Sequence, residues 1–271
     1  MARAFSLVSP TAMAAGLNNP YAKADGLLNA GSLWLLDALR LGSWDPAVDV
    51  VANDAPVRNL VSGAPTALLK VPVAGDIVFD APSKGFKLKA SVGLGRIQIG
   101  TGTQYFQTNL TNDFLISTMV SYPAVDPGGG HVGYLITKNI ATSYSGAGPW
   151  MAHRYAASYL FASMDAVATT PVAGVAAGAP NGLEQVAFAK VGANMLYFKN
   201  GAQIGSTPLR ATPLAANATP LNWGNGGAAN QYAAPGLVMH RTYGENLTVS
   251  GRAVADVVAQ DYAENIARFA A

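Results

Sequence analysis

The chain has 271 residues and a net charge of +2; 12% of its residues are charged, 50% are hydrophobic, and there are 29 Gly, 16 Pro and no Cys. High hydrophobicity with low charge excludes disorder, and the absence of cysteine excludes disulfides and thiolate metal sites. The basic residues are scattered and the net field is weak, so nucleic acid is not expected as a partner.

Residues 1–10 lack a continuous apolar segment, because Ser6, Ser9 and Pro10 interrupt it, and the expectation is a protein made in the cytoplasm. No stretch approaches the ~20 uninterrupted apolar residues of a spanning helix, so no membrane insertion is expected.

Residues 1–44 differ from the rest and read as an N-terminal arm. Asn18-Asn19-Pro20 and Lys23-Ala24-Asp25-Gly26 carry turn chemistry, whereas Leu33, Trp34, Leu35, Leu36, Leu39 and Leu41 are densely apolar. With Ser32 as N-cap and Gly42 as terminator, a short helix is predicted over residues 33–41. Such a helix is apolar nearly all round and must be covered, either by its own sheet or by a neighbouring subunit. Left exposed, it would form a patch on the order of several hundred Å², which monomers rarely tolerate. The assembly reading is preferred, with Leu33, Trp34, Leu36 and Leu39 meeting a copy of the chain or another protein of the same particle.

From Trp44 onward, residues 45–271 read as one β domain. Asp49-Val50-Val51-Ala52-Asn53-Asp54 and Val57-Arg58-Asn59-Leu60-Val61 are strand-like, followed by Asp76-Ile77-Val78-Phe79-Asp80. In Gly85-Phe86-Lys87-Leu88-Lys89-Ala90, the apolar residues share the face opposite Lys87 and Lys89, as a half-exposed strand requires. Arg96-Ile97-Gln98-Ile99 repeats the alternation. Residues 113–122 are the longest apolar run and predict a central strand stopped by Pro123. Further strands are expected over 131–137, 150–155, 158–162, 184–190, 221–223 and 236–243, with 166–180 a loop or an edge.

The clearest local signal lies in residues 191–205. Asn200-Gly201 predicts a type I′ hairpin, which needs positive φ at both central residues, and Gly192 marks another tight reversal just upstream. A three-strand meander follows from these two turns. Beyond Ser250, a natural N-cap, the period changes: Val254, Val257, Val258, Tyr262, Ile266 and Phe269 share one face of a C-terminal helix. No fixed-length repeat is present, which disfavours solenoids and propellers.

Three elements carry a family resemblance: Asn194 to Gly205, then Leu221-Asn222-Trp223-Gly224-Asn225-Gly226-Gly227, then Gly236 to Leu247 ahead of the final helix. Their order resembles the concanavalin A-like lectin/glucanase superfamily, in particular its laminin-G-like branch. The resemblance implies an all-β fold, a two-sheet antiparallel jelly-roll sandwich, here with an N-terminal arm and a short C-terminal helix. The whole profile also resembles capsid-surface and tail proteins of bacteriophages. It implies a non-enzymatic virion protein, made in the host cytoplasm, whose lectin-like domain serves assembly or contact with host-surface glycans. The alternative is a free carbohydrate-binding lectin-type module.

Glycanases of this superfamily carry an E-x-D-x-x-E strand that sets two carboxylates on one face. Glu184, Glu245 and Glu264 are the three glutamates here and none has that spacing, so no catalysis is expected. Asp76 and Asp80 share a strand face but stand ~13 Å apart, too far for a retaining pair, and read as solvated strand ends. His131, His153 and His240 fall on separate strands without zinc-ligand spacing. Laminin-G-like domains often bind Ca²⁺ at a loop rim, and the nearest candidates are Asp113, next to Asn112, and Asp126. No other cofactor is expected. Trp150, Tyr155, Tyr159, Trp223 and Tyr232 are candidates for stacking on sugar rings, each weighed against a place in the core.

Overall fold

The computed structural model describes residues 25–89, 94–100, 111–123, 132–138, 150–154, 158–163, 174–209, 220–224 and 235–270. Two eight-stranded sheets, antiparallel at every pairing, pack face to face, with strands numbered along the chain. In order across the first sheet stand Ala202–Pro208 (β14), Asn194–Lys199 (β13), Gly182–Val191 (β12), Phe114–Tyr122 (β7), Val238–Asn246 (β16), Gly85–Leu88 (β5) and Ile77–Asp80 (β4); Ser32–Asp37 (β1) also pairs with β16. The second sheet runs Gly174–Ala176 (β11), Tyr159–Ser163 (β10), Trp150–Arg154 (β9), Val132–Lys138 (β8), Leu221–Gly224 (β15), Arg96–Gln98 (β6), Ala67–Lys70 (β3) and Pro56–Val57 (β2). This is the expected jelly-roll sandwich.

The first sheet is covered on both faces. Its inner side packs Trp34, Phe86, Phe114, Val120, Phe188 and Tyr197 against Ile97, Leu69, Leu160 and Trp223 of the second sheet. On its outer side Leu35, Leu115, Ala187, Phe198 and Tyr243 meet Val257 and Val258 of the C-terminal helix. A strand buried on both faces shows a continuous apolar run rather than alternation. That is why β7, buried at eight of nine positions, carries the longest such run in the sequence.

Turn chemistry behaves as expected. Asn200 (φ 49°) and Gly201 (φ 82°) form the type I′ turn between β13 and β14, and Gly192 (φ 57°) reverses β12 into β13. The central position of β7, between β12 and β16, is likewise as predicted.

The arm is where the expectation fails. Residues 33–41 do not form a helix: Ser32–Asp37 is a strand paired with β16, from Ser32 opposite Glu245 to Asp37 opposite Arg241. A short apolar run cannot be told from a buried helix by periodicity, and here pairing decides. β5 occupies only Val238 and Met239 along that edge of β16, so β1 satisfies backbone groups that would otherwise be orphaned in the interior. Trp34 and Leu36 enter the inter-sheet core at 0% exposure, so neither is available to a neighbouring chain; Leu33 and Leu39 are half-buried. Gly244 makes room for the indole, since a Cβ there would stand 2.4 Å from Trp34 ring atoms. The boundary at residue 44 is therefore corrected: residues 25–44 belong to the sandwich, while residues 1–24 lie outside the described residues.

Two smaller corrections follow from hydrogen bonding. Residues 49–54 make no strand, because the Asp54 N–H (φ 63°) donates to Leu69 O and Asn53 Oδ1 accepts from Val71 N–H, turning the chain; of the next run only Pro56–Val57 pairs. Ser250 does not cap the last helix. It ends a four-residue turn of helix, Leu247–Ser250 (α1), capped by Asn246 Oδ1 accepting from Val249 N–H at 3.1 Å and closed by Gly251 at φ 68°. The long helix, Val254–Phe269 (α2), starts after Ala253 and buries Asp261 and Asn265, where Tyr262 and Ile266 were expected. Its face is turned by a charge network.

Candidate functional site

That network is centred on Arg241 of β16, which lies on the outer side of the first sheet at 0% exposure. Its Nε donates to Asp261 Oδ1 (2.9 Å), Nη1 to Asp37 Oδ2 (2.9 Å) and Nη2 to Asp25 Oδ1 (3.0 Å). Arg40 adds a contact to Asp25 (3.1 Å), Arg268 donates to Asp37 (2.8 Å), and Ser117 and Gln185 donate to Asp261. Burial pushes the Asp25 carboxyl up, but Arg241 and Arg40 with the Leu27 N–H outweigh it and hold it below its usual value. Burial likewise pulls the Arg241 guanidinium down, and three carboxylates more than reverse this. Every carboxylate of this closed cluster faces a guanidinium, and the cluster fastens the N-terminal segment and α2 to the sheet.

The glutamates sit in separate networks. Glu245, 0% exposed, receives Arg252 Nη2 (2.6 Å) and Tyr243 Oη (2.8 Å). Glu184 receives Lys199 Nζ (2.8 Å) and the Asn181 N–H (3.2 Å) at one end of the sandwich. His153 Nδ1 stands 3.4 Å from Glu184 Oε2, while its Nε2 bonds the Gly178 carbonyl at 2.9 Å and so must carry a proton. Glu264 accepts from Gln260 Nε2 (2.9 Å) on α2 and lies beside Gly26. No two of these carboxylates face one another across a cleft.

Asp76, expected to be a solvated strand end, is 3% exposed and instead accepts from Leu94 N–H (3.1 Å), pinning the approach to β6; Asp80 stays half-buried near Lys87. Asp113 Oδ1 accepts from Lys190 Nζ (3.0 Å) and the Gly192 N–H (2.9 Å), which latches the start of β7 to the β12–β13 turn. Among the described residues no group of three or more His, Asp and Glu gathers to hold a metal ion. Asp126 and His131 lie outside the described residues. His240 is buried, with Nδ1 donating to Lys84 O (3.1 Å) and Nε2 accepting from Ser121 Oγ (2.8 Å); burial, the largest influence, lowers its pKa to about 4.

Of the aromatic candidates, Trp223 is corrected outright. It is 0% exposed and its Nε1 donates to Thr118 Oγ1 (2.9 Å) across the core, because β15 turns alternate residues Leu221 and Trp223 inward. Trp150 stands on β9 level with Thr137 and Ser163. Tyr155 and Tyr232 lie outside the described residues. Tyr159 is 41% exposed on β10, next to inward-facing Leu160, with its ring 5.8 Å from Phe161.

The same alternation defines the outer face of the second sheet. Ile97, Leu69, Leu160 and Trp223 point inward, so Arg96, Gln98, Lys70, Asn222, Tyr159 and Phe161 point outward. Register sets Gln98 directly opposite Asn222, and Arg96 between Lys70 on one side and Gly224 on the other. Asn222 is only 1% exposed, yet its Oδ1 has no hydrogen-bond partner, and neither does the buried Nε of Arg96. Buried polar atoms are nearly always paired, and these two, among seven buried side-chain atoms without a hydrogen-bond partner in the described residues, stand on one outer face. Sequence reasoning passed over both residues; the signal available was an amide and a guanidinium at outward positions of strands that otherwise look ordinary.

Comparison with known proteins bears on the fold alone. No family model and no curated protein matches this sequence. Among solved structures, Trypanosoma rangeli sialidase matches with a TM-score of 0.56 at 10% identity, covering 89% of this chain and 34% of that one. The same sialidase in complex with sialic acid gives 0.55 at 11% identity, again over 89% and 34%. The receptor binding domain of botulinum neurotoxin C/D mosaic serotype gives 0.56 at 10% identity, covering 88% of this chain and 52% of that domain. The chain thus spans about a third of the sialidases and half of the neurotoxin domain, and the likeness is that of a β-sandwich fold.

Proposed function

We propose that this chain is a non-catalytic, lectin-like module that binds carbohydrate across the outer face of its second sheet. The observation that carries the reading is Asn222, a buried amide whose Oδ1 is unpaired and turned away from the core in mid-sheet. Leaving such an acceptor unmade costs roughly 1–3 kcal/mol, which a sugar hydroxyl donating to Oδ1 would relieve. Tyr159, three strands away across β9 and β8 and four residues further along its strand, offers an exposed ring at ~20 Å, a span for several sugar units. Aromatic surface with a few placed polar groups is how small-molecule sites are commonly built. The sialidase solved with sialic acid and the neurotoxin's receptor binding domain are consistent in kind with this reading.

The absence of catalysis is part of the proposal. Glu184 and Glu245 are committed to separate ion-paired networks, and a glycosidase needs two carboxyls facing one bond. The biological setting we favour is the surface of a phage particle, as capsid decoration or tail component among copies of itself. What supports it is composition: no cysteine, low charge and loops rich in Ala and Gly.

A glycan array followed by calorimetry on the whole chain tests the reading. Asn222→Ala should weaken the best ligand ~10-fold without lowering the melting temperature, as expected for loss of one ligand hydrogen bond from an Oδ1 that has no hydrogen-bond partner in the protein. A folded chain that binds no saccharide refutes carbohydrate binding. Reproducible glycoside hydrolysis by the purified chain refutes the non-catalytic half.

A further inference from the structure

We infer that the saccharide taken by this face is acidic, its anionic group held by Arg96 above Gly224. The inference rests on the carbohydrate reading of the same face and adds the charge of the ligand.

Register places Arg96 directly opposite Lys70. Like charges opposed on one sheet face repel, so each needs its own counter-charge. Lys70 has one, an ion pair with Asp54. Arg96 has none among the described residues: its one hydrogen bond runs from Nη1 to Leu94 O (3.0 Å), and its Nε is buried without a partner. A guanidinium does not shed its proton at any ordinary pH, so the uncompensated charge persists. Burial already pulls its pKa below the ordinary value.

The other neighbour of Arg96 is a glycine. Gly224 has φ +90°, and a Cβ there would meet Met239 Sδ at 2.9 Å on the core side, so only backbone faces outward beside the guanidinium. Gln98 stands two residues along the same strand and opposite Asn222, whose Oδ1 is the second unpaired buried atom. Unused donor and unused acceptor thus sit at diagonal positions, ~7–8 Å apart by sheet geometry and too far to satisfy one another. The planar fork of Arg matches a carboxylate or sulfate with two parallel hydrogen bonds, and the two amides suit the hydroxyls around it. An acidic sugar unit supplies both from one molecule.

The experiment is calorimetry on the full chain with uronate-containing, sialylated and sulfated oligosaccharides, each beside its neutral counterpart, at two salt concentrations. Acidic ligands should bind at least ~10-fold more tightly than neutral ones and weaken with salt, and the preferred anion identifies itself in the separate arms. R96Q should lose ~10–100-fold for the acidic ligand only, R96K should retain part of it, and Lys87→Gln on another strand should change nothing. The comparison of acidic with neutral ligands on the parent chain needs no variant, so it stands even where R96Q misfolds. Equal affinity for neutral sugars, unaffected by R96Q, overturns the acidic ligand and leaves carbohydrate binding standing. Binding of inorganic sulfate without any saccharide, or no binding at all, overturns both.

Discussion

Replacing Arg241 by Met tests what holds the N-terminal segment and the last helix to the sandwich. Three carboxylates, Asp25, Asp37 and Asp261, converge with three guanidiniums, those of Arg40, Arg241 and Arg268, all within ion-pair distance of a partner. In the variant Asp25 keeps Arg40 at 3.1 Å, Asp37 keeps Arg268 at 2.8 Å, and Asp261 keeps Ser117 and Gln185. One buried negative charge is then left unanswered, and breaking a buried pair in that way costs about 3–5 kcal/mol. Chemical denaturation at pH 7 reads the loss directly. The sign of its pH dependence is a second check. In the parent, the lowered Asp25 pKa gives stability that is present above the unfolded-state value and is lost as pH falls through the folded-state value. Without Arg241, burial, already the largest single influence, is no longer outweighed and favours the neutral acid, so the variant loses less on acidification and the gap narrows toward pH 4. Pairing the change with Asp25→Asn should restore part of the stability. A loss below ~1 kcal/mol, or a gap that does not move with pH, would show that the cluster is solvated and energetically idle.

Three further outcomes are expected. His240 is neutral in the fold with its pKa lowered to about 4, against ~6.5 unfolded, so the unfolded chain binds more protons between those values and stability should fall by up to about 3 kcal/mol as pH drops from 6.5 to 4; a H240Q variant should flatten that segment of a pH–stability curve. Gly201→Val forces positive φ on a β-branched residue, about 1–2 kcal/mol, and brings a Cβ 3.1 Å from the Tyr262 ring, so an unchanged melting temperature would contradict the turn. Gly244→Ala drives a Cβ to 2.4 Å from the Trp34 indole and should cost about 1–3 kcal/mol, whereas the same change in a Trp34→Leu background should cost much less in a double-mutant cycle.

The sandwich was legible in the sequence wherever the physics is local. Asn200-Gly201 and Gly192 set two turns by backbone conformation alone, the alternation of Phe86 and Leu88 with Lys87 set a half-exposed strand, and the apolar run of β7 announced a strand covered on both faces. None of these depends on what lies far along the chain. Local reasoning failed at residues 32–37, whose run suits a buried helix or a buried strand equally. The choice rested on the unpaired half of β16, 200 and more residues away.

The candidate site shows the same division. That Trp223 faces the core while Asn222 faces outward is a matter of one register step, and only the pairing of β15 between β6 and β8 fixes that step. Charges in a chain with so few of them, such as Asp37 in an apolar run and Asp261 on an apolar helix face, hint at burial, yet nothing local says that both converge on Arg241. Likewise the composition shows Arg96 as one of 17 basic residues, and only tertiary structure shows that Lys70 opposite it is already answered and that glycine stands on its other side. Backbone preferences act over a few residues and are written in order along the chain. Compensation of buried charge and polarity is decided by whichever groups the sheets bring together.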